Sequence, residues 1–116
     1  GQEYALVERW AGFGAENEGT LVNLSEGTVT PDVGFAPMLS LVSFDETSPL
    51  YVEASNPLTG FVQMYNTDGG KVASFMAGDS KRLTGPTTVT TSTFRGFGGD
   101  YSMHKRNVDL SKVLKD

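Results

Sequence analysis

The chain contains no cysteine, and this absence excludes several kinds of chemistry at once. Disulfide frameworks, thiolate zinc sites, iron–sulfur clusters and cysteine nucleophiles all require the cysteine thiol, which the sequence does not have. A zinc site without thiolates is not expected either, because a single histidine would have to be completed by carboxylates alone. Oxygen ligands for calcium are present at 66–70 and 98–100, but neither segment has the spacing of an EF-hand loop. We therefore predict no metal site and no cofactor.

Histidine is nearly as rare as cysteine. His104 is the only one, so any mechanism with a histidine base or metal ligand would have to use it. The segment 102–106 around it holds two cations and no carboxylate that could orient the ring. The nucleophile elbow of serine hydrolases and the glycine loop that binds nucleotide phosphates are also absent. We predict that the protein is not an enzyme and that His104 lies on a binding surface; a small hydrolase using His104 or two converging carboxylates is the weakest alternative.

Positive charge is scarce as well. Nine Lys and Arg residues accompany fourteen Asp and Glu residues, which gives a formal net charge of -5. Such a field repels phosphate backbones and anionic lipid headgroups. No apolar run approaches the roughly 20 residues that cross a bilayer. We expect neither nucleic acid nor a membrane as a partner.

Helical periodicity is almost missing, and 14 Gly, 5 Pro and many hydroxyl residues separate short apolar runs. This pattern is typical of an all-β fold, and a chain of 116 residues can bury one core. We predict an antiparallel β-sandwich, jelly-roll-like or immunoglobulin-like, of about eight strands within residues 1–102. Residues 103–116 are predicted to form an extended or one-turn-helical tail, capped by Asp109, that docks on the domain or on a neighbouring subunit.

The alternation of apolar and polar residues places the individual strands. The predicted hairpin at 61–65 and 71–76 is the clearest, because the glycines of 66–70 allow the positive φ of a tight loop. At 50–54, alternation predicts one buried and one exposed strand face. Loops are predicted at 12–19 and, after the last strand, at 95–99. The other predicted strands are 4–11, 20–24, 28–30, 38–44, 82–83 and 87–94.

Several aromatic residues lie at predicted strand ends or in glycine-rich loops. Part of this set is needed for the core, but aromatic side chains on rigid loops are also common anchors of protein interfaces and platforms for sugar rings. The predicted binding or interface surface consists of Trp10, Phe13, Phe94, Arg95, Phe97, Tyr101 and His104.

The missing chemistry and the acidic, thiol-free composition favour a structural protein over a catalyst. We expect a subunit that binds copies of itself or a larger particle, for example a capsid that it decorates as a virion accessory protein. The alternative is a carbohydrate-binding or adhesion module, in which exposed Trp or Tyr rings stack on sugars.

Overall fold

The computed structural model describes residues 2–10 and 16–115. This part of the chain contains strands and turns but no helix, and therefore no helix long and apolar enough to cross a membrane. The strands are β1 (Tyr4–Arg9), β2 (Asn17–Asn23), β3 (Thr28–Thr30), β4 (Phe35–Ala36), β5 (Met38–Val42), β6 (Tyr51–Asn56), β7 (Phe61–Tyr65), β8 (Lys71–Met76), β9 (Ser80–Gly85), β10 (Thr88–Phe97) and β11 (Asp100–Asp109). The all-β prediction is confirmed, with more strands than the eight expected.

The strands form three sheets, and all of their strand pairs are antiparallel. The first sheet has the order β1-β2-β3, and β4 also pairs with β2. The middle sheet is a meander, β5-β6-β7-β8, and the third is the β10-β11 hairpin. β9 lies beside β10, and Thr84 Oγ1 is 2.7 Å from Thr90 Oγ1.

The middle sheet is covered on both faces, and β6 shows this most clearly. Successive side chains of a strand point to opposite faces, yet Tyr51 and Val52 are only 3% and 0% exposed. Tyr51 packs towards the third sheet and Val52 towards the first. The predicted exposed face of this strand is therefore wrong, because a third layer covers it.

Two apolar cores hold the three layers together. The core between the first and middle sheets is built around Leu21, Val33 and Val52, with Tyr4 and Leu6 packed against it. The larger core lies between the middle sheet and the β9–β11 layer, and its buried members are Tyr51, Val62, Met64, Val72, Ala73, Phe75, Val89 and Leu110. An ion pair between Glu53 and Lys81, with Oε1 and Nζ 2.5 Å apart, also joins β6 to β9.

The hairpin predicted around 66–70 is confirmed as β7 and β8. Asn66 organises the loop, because its side-chain oxygen accepts hydrogen bonds from the backbone N–H groups of Asp68 and Gly70. Gly69 has a φ of +89°, a conformation that favours glycine.

Two predicted loops are shorter than expected. β2 begins at Asn17, inside the predicted loop 12–19, because residues 17–18 pair with β4 and 18–20 with β1. β10 continues to Phe97, so Arg95, Gly96 and Phe97 are strand residues paired with β11. The turn of this hairpin is confined to Gly98 and Gly99. From the positions of the glycines alone, such a short turn cannot be distinguished from a longer loop.

The C-terminal segment lies against the body of the protein. Residues 103–109 are the second part of β11, and Leu110 is buried in the larger core. Asp109 does not begin a helix; its carboxylate accepts hydrogen bonds from the backbone N–H and the hydroxyl of Ser111, which lower its pKa. Further on, the Leu114 N–H donates to the Lys71 carbonyl at 2.8 Å.

Candidate interaction surfaces

The β10–β11 hairpin changes character along its length. Near its base, Val89 and Thr91 are buried against the middle sheet. From residue 94 through the turn to residue 107, every residue is exposed. We call residues 93–104 the hairpin tip, and its ten-residue strands carry it beyond the layer that covers their base.

One face of the hairpin tip is apolar. Antiparallel pairing places Phe94 opposite Met103 and Gly96 opposite Tyr101, and residues directly opposite each other share a sheet face. The Tyr101 ring lies against Gly96, since a Cβ at that glycine would be 2.2 Å from Tyr101 Cδ1. At the end of the strand, Phe97 is 96% exposed.

The other face of the hairpin carries two arginines and, at its end, Asp100. Arg95 and Arg106 alternate with the apolar positions, so they point to the opposite side of the hairpin from Phe94. Lys105 lies between His104 and Arg106, on the same face as Phe94. On binding, exposed apolar rings can be buried against a partner, and the charged side chains near them can select that partner by its charge.

The base of the hairpin is attached to the end of β8. Gly78 bridges Ser92, and the Asp79 N–H donates to the Ser92 carbonyl at 2.8 Å. Gly78 has a φ of +67°, and a Cβ there would be 2.4 Å from Thr93 Oγ1. The close approach therefore requires glycine at this position.

A second apolar surface is the outer face of the first sheet, which points away from the middle sheet. Cross-strand pairing aligns Ala5, Val22 and Val29 in one row across three strands. Val7 lies on the same face, one row away, and Phe35 is paired with Glu18 at the sheet edge. Val7, Val29 and Phe35 are each more than half exposed. Five exposed carboxylates lie on this layer: Glu3, Glu8, Glu18, Glu26 and Asp32.

The structure brings together most of the predicted binding residues. Phe94, Arg95, Phe97, Tyr101 and His104 all belong to the hairpin tip. Trp10 follows β1 in the first sheet and is 68% exposed. Phe13 lies outside the described residues.

The outer face of the first sheet was not predicted as a surface. Its sequence signal was an apolar residue at two successive positions, Leu6 and Val7 in β1 and Leu21 and Val22 in β2. Local pattern alone assigns either of the two to the buried face.

His104 contacts a hydroxyl but has no acid to orient it. Its Nε2 is 3.0 Å from Ser102 Oγ, and both residues are exposed. In residues 2–10 and 16–115, no hydrogen bond reaches His104 Nδ1, and no group of three His, Asp or Glu side chains could hold a metal ion. A serine nucleophile needs a base that a third group orients. This geometry is suited to surface contact.

A cleft of 720 Å³ lies at the junction of the layers, lined by Tyr4, Tyr51, Leu110 and the loop that carries Asp45 and Glu46. Asp45 accepts hydrogen bonds from the hydroxyls of Ser48 and Thr47, at 2.6 and 3.0 Å. These bonds lower the pKa of Asp45, which makes it a poor proton donor near neutral pH. The Asp45 contacts explain the shape of the loop without a ligand.

Comparison of the chain with protein-family models, with curated proteins and with solved structures found no match.

Proposed function

We propose that the protein is a non-enzymatic structural subunit that assembles with copies of itself or with a larger protein particle. The observation that carries this proposal is the ordered arrangement of exposed apolar side chains on two strand-built surfaces, the hairpin tip and the outer face of the first sheet.

Isolated exposed apolar residues are ordinary on protein surfaces, whereas aligned groups of them mark interaction sites. Phe94, Tyr101 and Met103 share one face of the hairpin tip, and Phe97 extends from its end. A two-stranded hairpin gains little stability on its own in water. A partner that covers the tip would bury these rings and stabilise the extended strands.

Sedimentation velocity over a range of concentrations tests the proposal. We expect the mean mass to rise with concentration, and Phe97→Ser to weaken association about tenfold, the usual effect of losing an aromatic anchor. Leu58→Ser is the matched control, because Leu58 is 95% exposed in the β6–β7 turn and belongs to neither surface. A wild-type chain that stays monomeric at its highest soluble concentration and binds no purified particle would overturn the proposal.

A carbohydrate-binding module is the second candidate, favoured by one observation. Tyr101 is 74% exposed and its ring is braced by Gly96, which resembles a platform on which a sugar ring can stack. A glycan array probes this function directly. Hits that disappear in Tyr101→Ala would support it, and an array without hits would exclude it.

A further inference from the structure

The two outer layers carry opposite charge. Residues 1–36, which contain the first sheet, have six carboxylates and one Arg, a net charge of -5. Residues 80–109, which contain β9 to β11, have five Lys and Arg and two Asp, a net charge of +3 without His104. The middle sheet separates these layers, so the molecule has an acidic side and a basic side.

Each charged layer also carries one of the apolar surfaces. On the outer face of the first sheet, Val7, Val22 and Val29 lie on a layer whose exposed carboxylates include Glu18 and Glu26. In the third layer, Lys105 lies next to the hairpin tip on the face of Phe94, whereas Arg95, Arg106 and Asp100 lie on the opposite face. Each apolar surface therefore belongs to a layer whose net charge is opposite to that of the other layer, and this complementarity favours contact between the two surfaces.

We infer that the hairpin tip of one copy docks on the outer face of the first sheet of a second copy. This inference rests on the proposed function and names its partner and its geometry. Pairing two hairpin tips would bring the basic layers of both copies together, and pairing two outer faces would bring their acidic layers together. Like charges placed together oppose both symmetric arrangements.

The contact joins two different surfaces, so a pair of copies keeps one free outer face, on the copy that donates its hairpin tip, and one free hairpin tip, on the other copy. Such head-to-tail contacts continue from copy to copy and produce closed rings or open filaments. Because charge complementarity contributes, association should weaken as salt is raised from low to high ionic strength.

Two variants, each with one surface disabled, test the geometry. Arg95→Glu/Phe97→Ser disables the hairpin tip, and Val7→Lys/Val29→Lys disables the outer face; all four positions are exposed. Each variant alone should lose self-association by about tenfold or more. An equimolar mixture should form a dimer and stop there, because its two free surfaces are the disabled ones. Far-UV circular dichroism and thermal unfolding establish that both variants fold.

The outcomes separate this inference from the proposed function. If the wild type associates but the mixture of variants stays monomeric, head-to-tail docking is wrong and the structural role stands. If the outer-face variant still associates by itself, the hairpins pair symmetrically and the inference is again overturned. If the wild type does not self-associate but binds a purified particle, head-to-tail docking is wrong and the proposed function stands. If it neither self-associates nor binds a particle, the proposed function is wrong too.

Discussion

The Asp79 carboxylate accepts a hydrogen bond from the backbone N–H of Phe94, with Oδ2 and N 2.6 Å apart. The bond lies where β10 leaves the body of the protein and the exposed hairpin tip begins. Together with the bridge between Gly78 and Ser92, it fixes the direction in which the hairpin leaves the third layer. Asp79, the residue directly before β9, thus orients a surface more than ten positions further along the chain.

Asp79→Ala should loosen the hairpin without unfolding the protein. The lost bond is exposed to solvent, so we expect a cost of only about 0.5–1 kcal/mol. Amide hydrogen exchange at Phe94 should become faster, while the Leu110 amide, bonded to the Thr87 carbonyl, should keep its protection. Asp68→Ala, at an exposed carboxylate in the β7–β8 turn, is the control and should leave Phe94 unchanged. Equal exchange at Phe94 in both variants would show that Asp79 does not hold the hairpin.

Gly96→Ala should disrupt the hairpin tip, because the new Cβ would meet the Tyr101 ring at 2.2 Å and the Asp100 carbonyl at 2.7 Å. Gly99→Ala is the control, since a Cβ there meets nothing within 4 Å. We expect a loss of about 1–3 kcal/mol for Gly96→Ala, as for other overpacked sites, and much less for Gly99→Ala. Chemical denaturation measures both. If the two variants unfold alike, the contact between Tyr101 and Gly96 has no structural importance.

Leu110→Ala should be the most destabilising of these changes. Leu110 is 2% exposed within the larger core, and truncating such a leucine costs about 2–5 kcal/mol. Leu114→Ala, at a side chain that is 43% exposed, should cost less than about 1 kcal/mol. Urea unfolding of the two variants gives the difference. Similar values would mean that the C-terminal segment does not pack as described.

Tyr51→Phe should make the protein more tolerant of alkali. Burial raises the pKa of Tyr51 and the charge of Asp109 raises it further, so the unfolded chain releases the phenol proton at a lower pH than the folded one. Stability therefore falls as pH rises above the ordinary tyrosine pKa of about 10. The variant loses the hydrogen bond to the Pro86 carbonyl, about 0.5–1.5 kcal/mol near neutral pH. As pH is raised from 8 to about 11, the free energies of unfolding of the variant and the wild type should converge. A constant difference between them would refute the raised pKa of Tyr51.

Local patterns predicted much of the strand content. The β7–β8 hairpin, the turn before β3 and the alternation of β1 follow from side chains that are close in sequence. Within β1, Tyr4 and Leu6 lie on one face, towards the core, and Val7 and Arg9 lie on the other, exposed face, as the period-two alternation of strand side chains requires. Five of the predicted binding residues lie together, because a single hairpin that is continuous in sequence contains them.

Other features depend on contacts between distant segments. Alternation at 50–54 shows that β6 has two faces, but whether each face is buried depends on which layers cover it. The core that covers Tyr51 includes Val89 and Leu110, which come from the other end of the chain. The glycines at 96, 98 and 99 look equivalent in sequence. Pairing with Tyr101 makes Gly96 part of a strand and leaves only the other two for the turn.

The sequence by itself determined that the chain folds into β-strands, because period-two patterning is a local property, and its composition provides one histidine and no cysteine. Only the tertiary structure decided that three sheets stack, that an acidic layer and a basic layer lie on opposite sides, and that each exposes an apolar surface. These properties arise when long-range pairing buries one face of each outer sheet and leaves the other face uncovered.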